Sequence, residues 1–106
     1  MSFHHLQEIE PRNPLPGCTA RFVHSQSMTL SYWNLEKNAV IPHHSHPHEQ
    51  VTNVIEGELE LTVAGQTQRL TPGSIAVIPS HAFHSANALS PSFVIDVFYP
   101  VREDYR

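Results

Sequence analysis

Four of the chain's nine histidines fall between positions 43 and 48, in the stretch PHHSHPHEQ. Neutral imidazole is a common ligand for divalent transition metals, so this stretch is the first place to look for chemistry. A tract that binds metals only loosely at the surface is the competing reading. Spacing helps to separate the two. If residues 44 to 46 are extended, side chains two apart share a face, so His44 and His46 can meet on one ion while Ser45 turns away. Gln50 follows four positions after His46, and if it opens a strand, Thr52 and Val54 share its face. Ligands on one wall leave the opposite side open. The candidate to complete the site is His84 in IPSHAFH, the other region where histidines cluster beside a strand end. His43 and His48 fall on the wrong face or in the loop at Pro47, which suits exposed or supporting roles. His4, His5 and His24 read as surface or packing residues, and His81 as a supporting or pocket-lining group.

A second signal lies near the C-terminus, in IDVFYPVREDYR. Asp96 interrupts the apolar run of Val94, Ile95, Val97 and Phe98, and an acid inside an apolar strand is costly unless it is paired or functional. Asp96 and Phe98 are two apart and share a face if the segment is a strand. Arg102, beyond Pro100, could reach back toward that face. Two readings follow: a structural Asp96–Arg102 salt bridge with REDYR as a solvated tail, or a functional trio of Asp96, Phe98 and Arg102.

The elements that must position these residues are short strands. LELTV, in the segment QVTNVIEGELELTV (50–63), has the clearest period-two alternation, with Leu59, Leu61 and Val63 against Glu60 and Thr62. MTLSYWNL (28–35), GSIAVIP (73–79) and SFVIDVFYP (92–100) also have strand character, the last being rich in β-branched and aromatic residues. No amphipathic helix stands out. PRNPLPG (11–17) reads as an irregular lead-in, within a residue 1–18 segment that is irregular or strand-exchanging. Many short strands divided by nine prolines and four glycines predict an all-β sandwich or barrel in a single domain spanning 1–106.

Composition narrows the function. The chain is 40% hydrophobic and 15% charged, with a formal net charge of -4, which suits a folded globular domain. Lys37 is its one lysine, so the clustered basic surface that nucleic acid requires is missing. The single cysteine, Cys18, excludes an intramolecular disulfide and a cysteine-based zinc site, and reads as a small buried hydrophobe. No stretch approaches the ~20 apolar residues of a membrane span or resembles a secretory signal. The expectation is a cytoplasmic protein with no membrane or nucleic-acid partner.

HSHPHEQVTNVIEG resembles the first motif of the cupin family: His, one residue, His, three residues, Glu, six residues, Gly. His44, His46, Gln50 and Gly57 fall in register, within a motif at 41–57. GSIAVIPSHAFH resembles the second motif, at 73–88, through Gly73, Pro79 and His84. The resemblance implies a double-stranded β-helix, or jelly-roll, barrel. It also implies one divalent transition metal held by His44, His46, Gln50 and His84. The nitrogen and oxygen donors leave zinc, nickel, iron, manganese or copper open. Four positions depart from the pattern, one of them Ala88, which stands at the second motif's final Asn, with Asn87 one place early. Asn38 and His81 stand where glycine is usual, and Asn38 still allows a left-handed turn. Gln50 stands where glutamate is usual. A neutral ligand leaves the centre about one unit more positive, which strengthens its pull on a bound carbonyl or hydroxyl.

DVFYPVREDY is similar to the C-terminal signature Asp-x-Phe-x-Pro-x-Arg-x-Asp-Tyr/Phe of KdgF-type cupins, which also carry a His, His, Gln, His set. Members of that group convert 4,5-unsaturated monouronates to linear keto forms. The resemblance implies a sugar-acid substrate, with Asp96 as proton shuttle, Arg102 as carboxylate clamp and Phe98 as apolar wall, and it implies a homodimer. Two other readings remain at this stage. A metal-dependent dioxygenase or polyketide-cyclase-like cupin would need oxygen or a different substrate, and a sugar-binding sensor would bind without turnover.

Overall fold

Alternation along the chain becomes ten strands in the computed structural model, which describes residues 1–106. They are β1 (Arg12–Leu15), β2 (Cys18–His24), β3 (Thr29–Leu35), β4 (Val40–His44), β5 (Glu49–Glu56), β6 (Leu59–Val63), β7 (Gln66–Leu70), β8 (Ile75–Ile78), β9 (His84–Ala88) and β10 (Ser92–Tyr99). The only helical pieces are single 3-10 turns at Leu6–Glu8 and Glu103–Tyr105. All strand pairs are antiparallel, in a six-stranded sheet ordered β1-β2-β3-β10-β5-β8 and a four-stranded sheet ordered β4-β9-β6-β7. Crossing between the sheets, as β4 to β5 and β9 to β10 do, gives the jelly-roll barrel expected from the sequence.

The inner faces of the two sheets form one apolar core. Leu59, Leu61, Ala86 and Ala88 from the smaller sheet meet Ala20, Trp33, Leu35, Val54, Val94 and Ile78 from the larger. Cys18 is within this core, as its isolation predicted. Toward one end of the barrel the inward residues of the large sheet turn polar: Thr29 and Ser31 on β3, Gln50 and Thr52 on β5, Asp96 on β10. Buried polar groups of this kind need partners or a function.

Turns deliver the strands at the required angles. Asn38 adopts the left-handed conformation expected of it, at φ 71°, and His81 does the same at φ 66°. Gly57 closes the first motif at φ 85°, and a side chain there would run into the Pro91 carbonyl and the Ser92 side chain. This glycine is therefore required both for its backbone and for the close approach of the chain entering β10.

Residues 11–17 are more ordered than their prolines suggest. Arg12–Leu15 is a strand that pairs with β2 of the same chain, with Leu15 opposite Cys18, across a turn at Gly17. Proline is tolerated because β1 is the edge of its sheet, where one row of backbone donors has no ladder partner.

Candidate metal centre

His44 is the last residue of β4, and a bulge between Ile41 and His44 turns it toward His84, its partner at the start of β9. His46 lies beyond the strand, in the connection to β5. His44 and His46 do share a face, as period two predicts, but a bulge and a loop bring them there, not one continuous strand. Their rings are 5.6 Å apart, and His84 stands 4.2 Å from His44 and 4.9 Å from His46, centroid to centroid. One ring nitrogen of each lies within 4.8 Å of the others, a grouping able to hold a metal ion.

All three rings are oriented in the same way. Nδ1 of His44 faces the Pro42 carbonyl at 2.7 Å, Nδ1 of His46 the His48 carbonyl at 3.0 Å, and Nδ1 of His84 the Ala82 carbonyl at 2.9 Å. With its proton on Nδ1, each ring donates to a carbonyl two residues away and presents a bare Nε2 lone pair to the centre. His84 Nε2 is buried with no hydrogen-bond partner. Burial, reinforced by the Arg102 charge, lowers the His46 pKa to about 4, so this ring is neutral near pH 7. A neutral ring with its proton on Nδ1 places the Nε2 lone pair 3.0 Å from Gln50 Oε1. Two acceptors facing one another across that distance call for a cation. These residues therefore fit a divalent metal, on the donor chemistry and on the unpartnered His84 nitrogen.

The remaining histidines sort by direction. His43 points outward and stacks on Phe83, 4.9 Å between ring centroids. His48 contributes its carbonyl to His46, and its own Nδ1 is buried and unpartnered. His81 is exposed and acts through its backbone, its N–H donating to the His46 carbonyl at 2.8 Å.

Asp96, Phe98 and Gln50 meet below the histidines because register places them there. Asp96 lies opposite Thr52, and Phe98 opposite Gln50, across the β10–β5 ladder. Asp96 is 7% exposed and its Oδ1 has no hydrogen-bond partner. Burial raises its pKa to about 6, against the opposing influence of hydrogen bonding from Thr52 and Gln50 and of the Arg102 charge. A carboxyl with this affinity can both give and take a proton near neutrality.

Arg102 does not form a salt bridge with Asp96. Its Nε and Nη2 donate to Asp104 at 3.0 and 2.7 Å. The guanidinium carbon sits 4.8 Å from the centre of the Phe98 ring and 4.2 Å from that of Tyr105. REDYR is accordingly only in part a solvated tail: Arg102 and Tyr105 pack inward, while Glu103, Asp104 and Arg106 are exposed. Arg102 is 7% exposed, and its backbone N–H donates to Thr29 Oγ1 at 2.8 Å. With Asp104 on the Nε–Nη2 edge, the Nη1–Nη2 edge of the guanidinium has the fork geometry that can take a carboxylate.

These groups share one cavity of about 290 Å³, lined by His44, Gln50, His84, Asp96, Phe98 and Arg102 among others. Pro14, Leu15, Trp33 and Tyr105 also line it, although the first 35 residues carried little signal in the sequence. His24, read as a bland residue, bridges Thr29 Oγ1 at 2.8 Å and the Tyr105 carbonyl at 3.2 Å, and Arg12 Nη1 donates to the same carbonyl at 2.9 Å. None of these contacts had a local sequence signature except the Tyr105 that closes the C-terminal motif.

Comparison with known proteins agrees with the geometry. The family model described as Cupin domain matches residues 31–98. KdgF from Halomonas sp. superposes with a TM-score of 0.94 at 33% identity, covering 100% of this chain and 99% of that one. An RmlC-like cupin from Shewanella frigidimarina reaches the same TM-score of 0.94 at 28% identity, covering 100% of this chain and 96% of the other. A variant oxalate decarboxylase from Bacillus subtilis shares the fold alone, with a TM-score of 0.82 at 20% identity over 90% of this chain and 28% of that one. A comparison with curated proteins finds no match. No helix is long and apolar enough to cross a membrane. The matched domain and the full-length likeness to KdgF lead to one conclusion: the chain belongs to the cupin family, as a KdgF-type member.

Proposed function

We propose that this protein is a metal-dependent enzyme that opens a 4,5-unsaturated monouronate to its linear keto form. The carrying observation is Asp96: a buried carboxyl with a pKa near 6, in the same cavity as His44 and His84 of the three-histidine group and beside a clamped arginine. The likeness to KdgF supports the substrate class.

In this reading His44, His46, Gln50 and His84 hold one divalent metal, which when bound orients and polarises oxygens of the sugar acid. Arg102 takes the substrate carboxylate on its free edge. Phe98 packs against the ring and keeps water from Asp96. Asp96 removes the proton from the anomeric hydroxyl, and the electrons form the C1 carbonyl as the bond from C1 to the ring oxygen breaks. That oxygen leaves as the enol oxygen at C5. Asp96 then returns the proton to C4, and the C4–C5 double bond becomes the C5 ketone. The reaction is an isomerisation, so no oxidant or co-substrate enters, and activity is expected without oxygen.

The test is to add unsaturated galacturonate to the metal-loaded protein and follow the loss of its ultraviolet absorbance. The expected result is rapid loss with wild type under anaerobic conditions. Binding without turnover would instead favour a sensor, and dependence on oxygen an oxygenase.

We also propose a homodimer formed through the outer face of the six-stranded sheet. Register aligns Val23, Leu30, Val97, Val51 and Val77 in one row across five strands, and Val77 and Ile75 are 62% and 65% exposed. Contiguous apolar surface of this kind marks an association site. Light scattering should return twice the chain mass, and Val77→Glu the monomer.

A further inference from the structure

Thr52 has no part in the scheme above, yet it stands between two residues that do. It is 3% exposed on β5, two residues from Gln50 and directly across the ladder from Asp96. Its hydroxyl accepts from Gln50 Nε2 at 3.0 Å. That bond determines which end of the amide faces which way. Nε2 turns toward Thr52, and Oε1 turns toward His46 Nε2 and the centre.

A threonine hydroxyl that accepts an amide proton still has its own proton to give. Asp96 Oδ1 is buried without a partner and needs a donor. The free proton and the free oxygen belong to residues that are ladder partners.

We infer that Thr52 is a positioning residue that links Gln50 to Asp96, its single hydroxyl orienting the amide toward the metal site and holding the carboxyl in place. The inference rests on the function proposed above, and it explains the glutamine. A glutamate at position 50 would set two carboxyls around a hydroxyl that has one proton to give. The amide brings its own donor, so all three groups are satisfied.

The experiment uses the zinc-loaded protein, in which nuclear magnetic resonance can observe the side-chain amide of Gln50, assigned by its loss in Gln50→Glu. In wild type the two amide protons should be protected from solvent exchange. Thr52→Val, which keeps the shape but removes the hydroxyl, should raise their exchange at least ~10-fold, the scale of one lost hydrogen bond. Thr52→Ser should restore protection and shows that the backbone tolerates change at this position. In turnover, Thr52→Val should lower kcat about 10-fold with KM and metal content unchanged, and add no further loss in a Gln50→Glu background. Unchanged amide exchange in Thr52→Val would overturn the inference, as would full additivity of the two substitutions. If the amide responds as expected but wild type leaves unsaturated uronate untouched, the positioning role stands and the proposed reaction fails.

Discussion

The two sides of the cavity are built differently. The histidine side comes from the ends of β4, β5 and β9, and its rings are aimed by carbonyls only two residues away. The Asp96–Arg102 side comes from β10 and the segment after it: Asp104, two residues on, holds the Arg102 fork, but the backbone that carries both is anchored far away in sequence. Arg102 is tied to Thr29, and Tyr105 to His24 and Arg12, across separations of 73, 81 and 93 residues. Local geometry suffices to orient a metal ligand. A carboxylate clamp that must face the metal from across a barrel needs the fold to be complete. Metal binding and substrate chemistry should therefore be separable by mutation.

Two substitutions test that separation most strongly. Asp96→Asn is expected to lower kcat by about 10²–10⁴, the usual worth of a positioned proton-transfer group, while elemental analysis finds the metal intact. His84→Ala is expected to do the converse at the root, with metal content lost. If Asp96→Asn also loses metal, the two sides are one unit and the comparison breaks.

Arg102→Lys keeps the charge but removes the planar fork, and with it the stacking between Phe98 and Tyr105. KM for the uronate should rise about 10- to 100-fold, from the ~1.5–3 kcal/mol of a charged hydrogen bond, with a smaller change in kcat. An unchanged KM would remove Arg102 from substrate binding.

Stability against pH gives a third test, on metal-stripped protein followed by denaturant. Asp96 binds its proton more tightly folded than unfolded, where the carboxyl has the ordinary value of 3.8. Its cost to the fold is absent below about pH 4, grows between 4 and 6, and is complete above 6. Asp96→Asn should therefore stabilise the protein by about 1–3 kcal/mol at pH 7 and hardly at all at pH 4. His46 has the opposite sense: its folded pKa is lowered to about 4, so its contribution is full above 6.5 and is lost as pH falls toward 4. A pH-independent gain in Asp96→Asn would show that Asp96 is already ionised in the fold.

The smallest effect belongs to His24. His24→Ala removes one of two donors to the Tyr105 carbonyl and a partner of Thr29. KM should rise by about 2- to 5-fold, within the worth of one neutral hydrogen bond, with metal affinity untouched. A loss of metal instead would tie the tail to the histidine side.

How far each side could be read from the sequence follows from the same difference. The spacing of His44, His46 and Gln50, and the Gly73–Pro79–His84 pattern, lie within single motifs, so position along the chain reports position in space. Asn38 was readable as a left-handed residue because that preference is intrinsic to its side chain. Asp96 and Phe98 were placed on one face by period two alone, and the burial pattern of β10 agrees. The partner of Arg102 could not be read in this way. The sequence offered only Asp96 as its ionic partner, whereas the 3-10 turn at Glu103–Tyr105 brings Asp104 onto its Nε–Nη2 edge.

By itself, then, the order of residues determined the all-β class, the two motifs and the faces on which candidate ligands lie, because backbone period and turn preference are local properties. The tertiary structure alone decided that β1 and Tyr105 help to wall the cavity, that His24 ties down the C-terminal segment, and that Thr52 lies against Asp96. These depend on ladder register and on contacts between segments far apart in the chain, which no local pattern encodes.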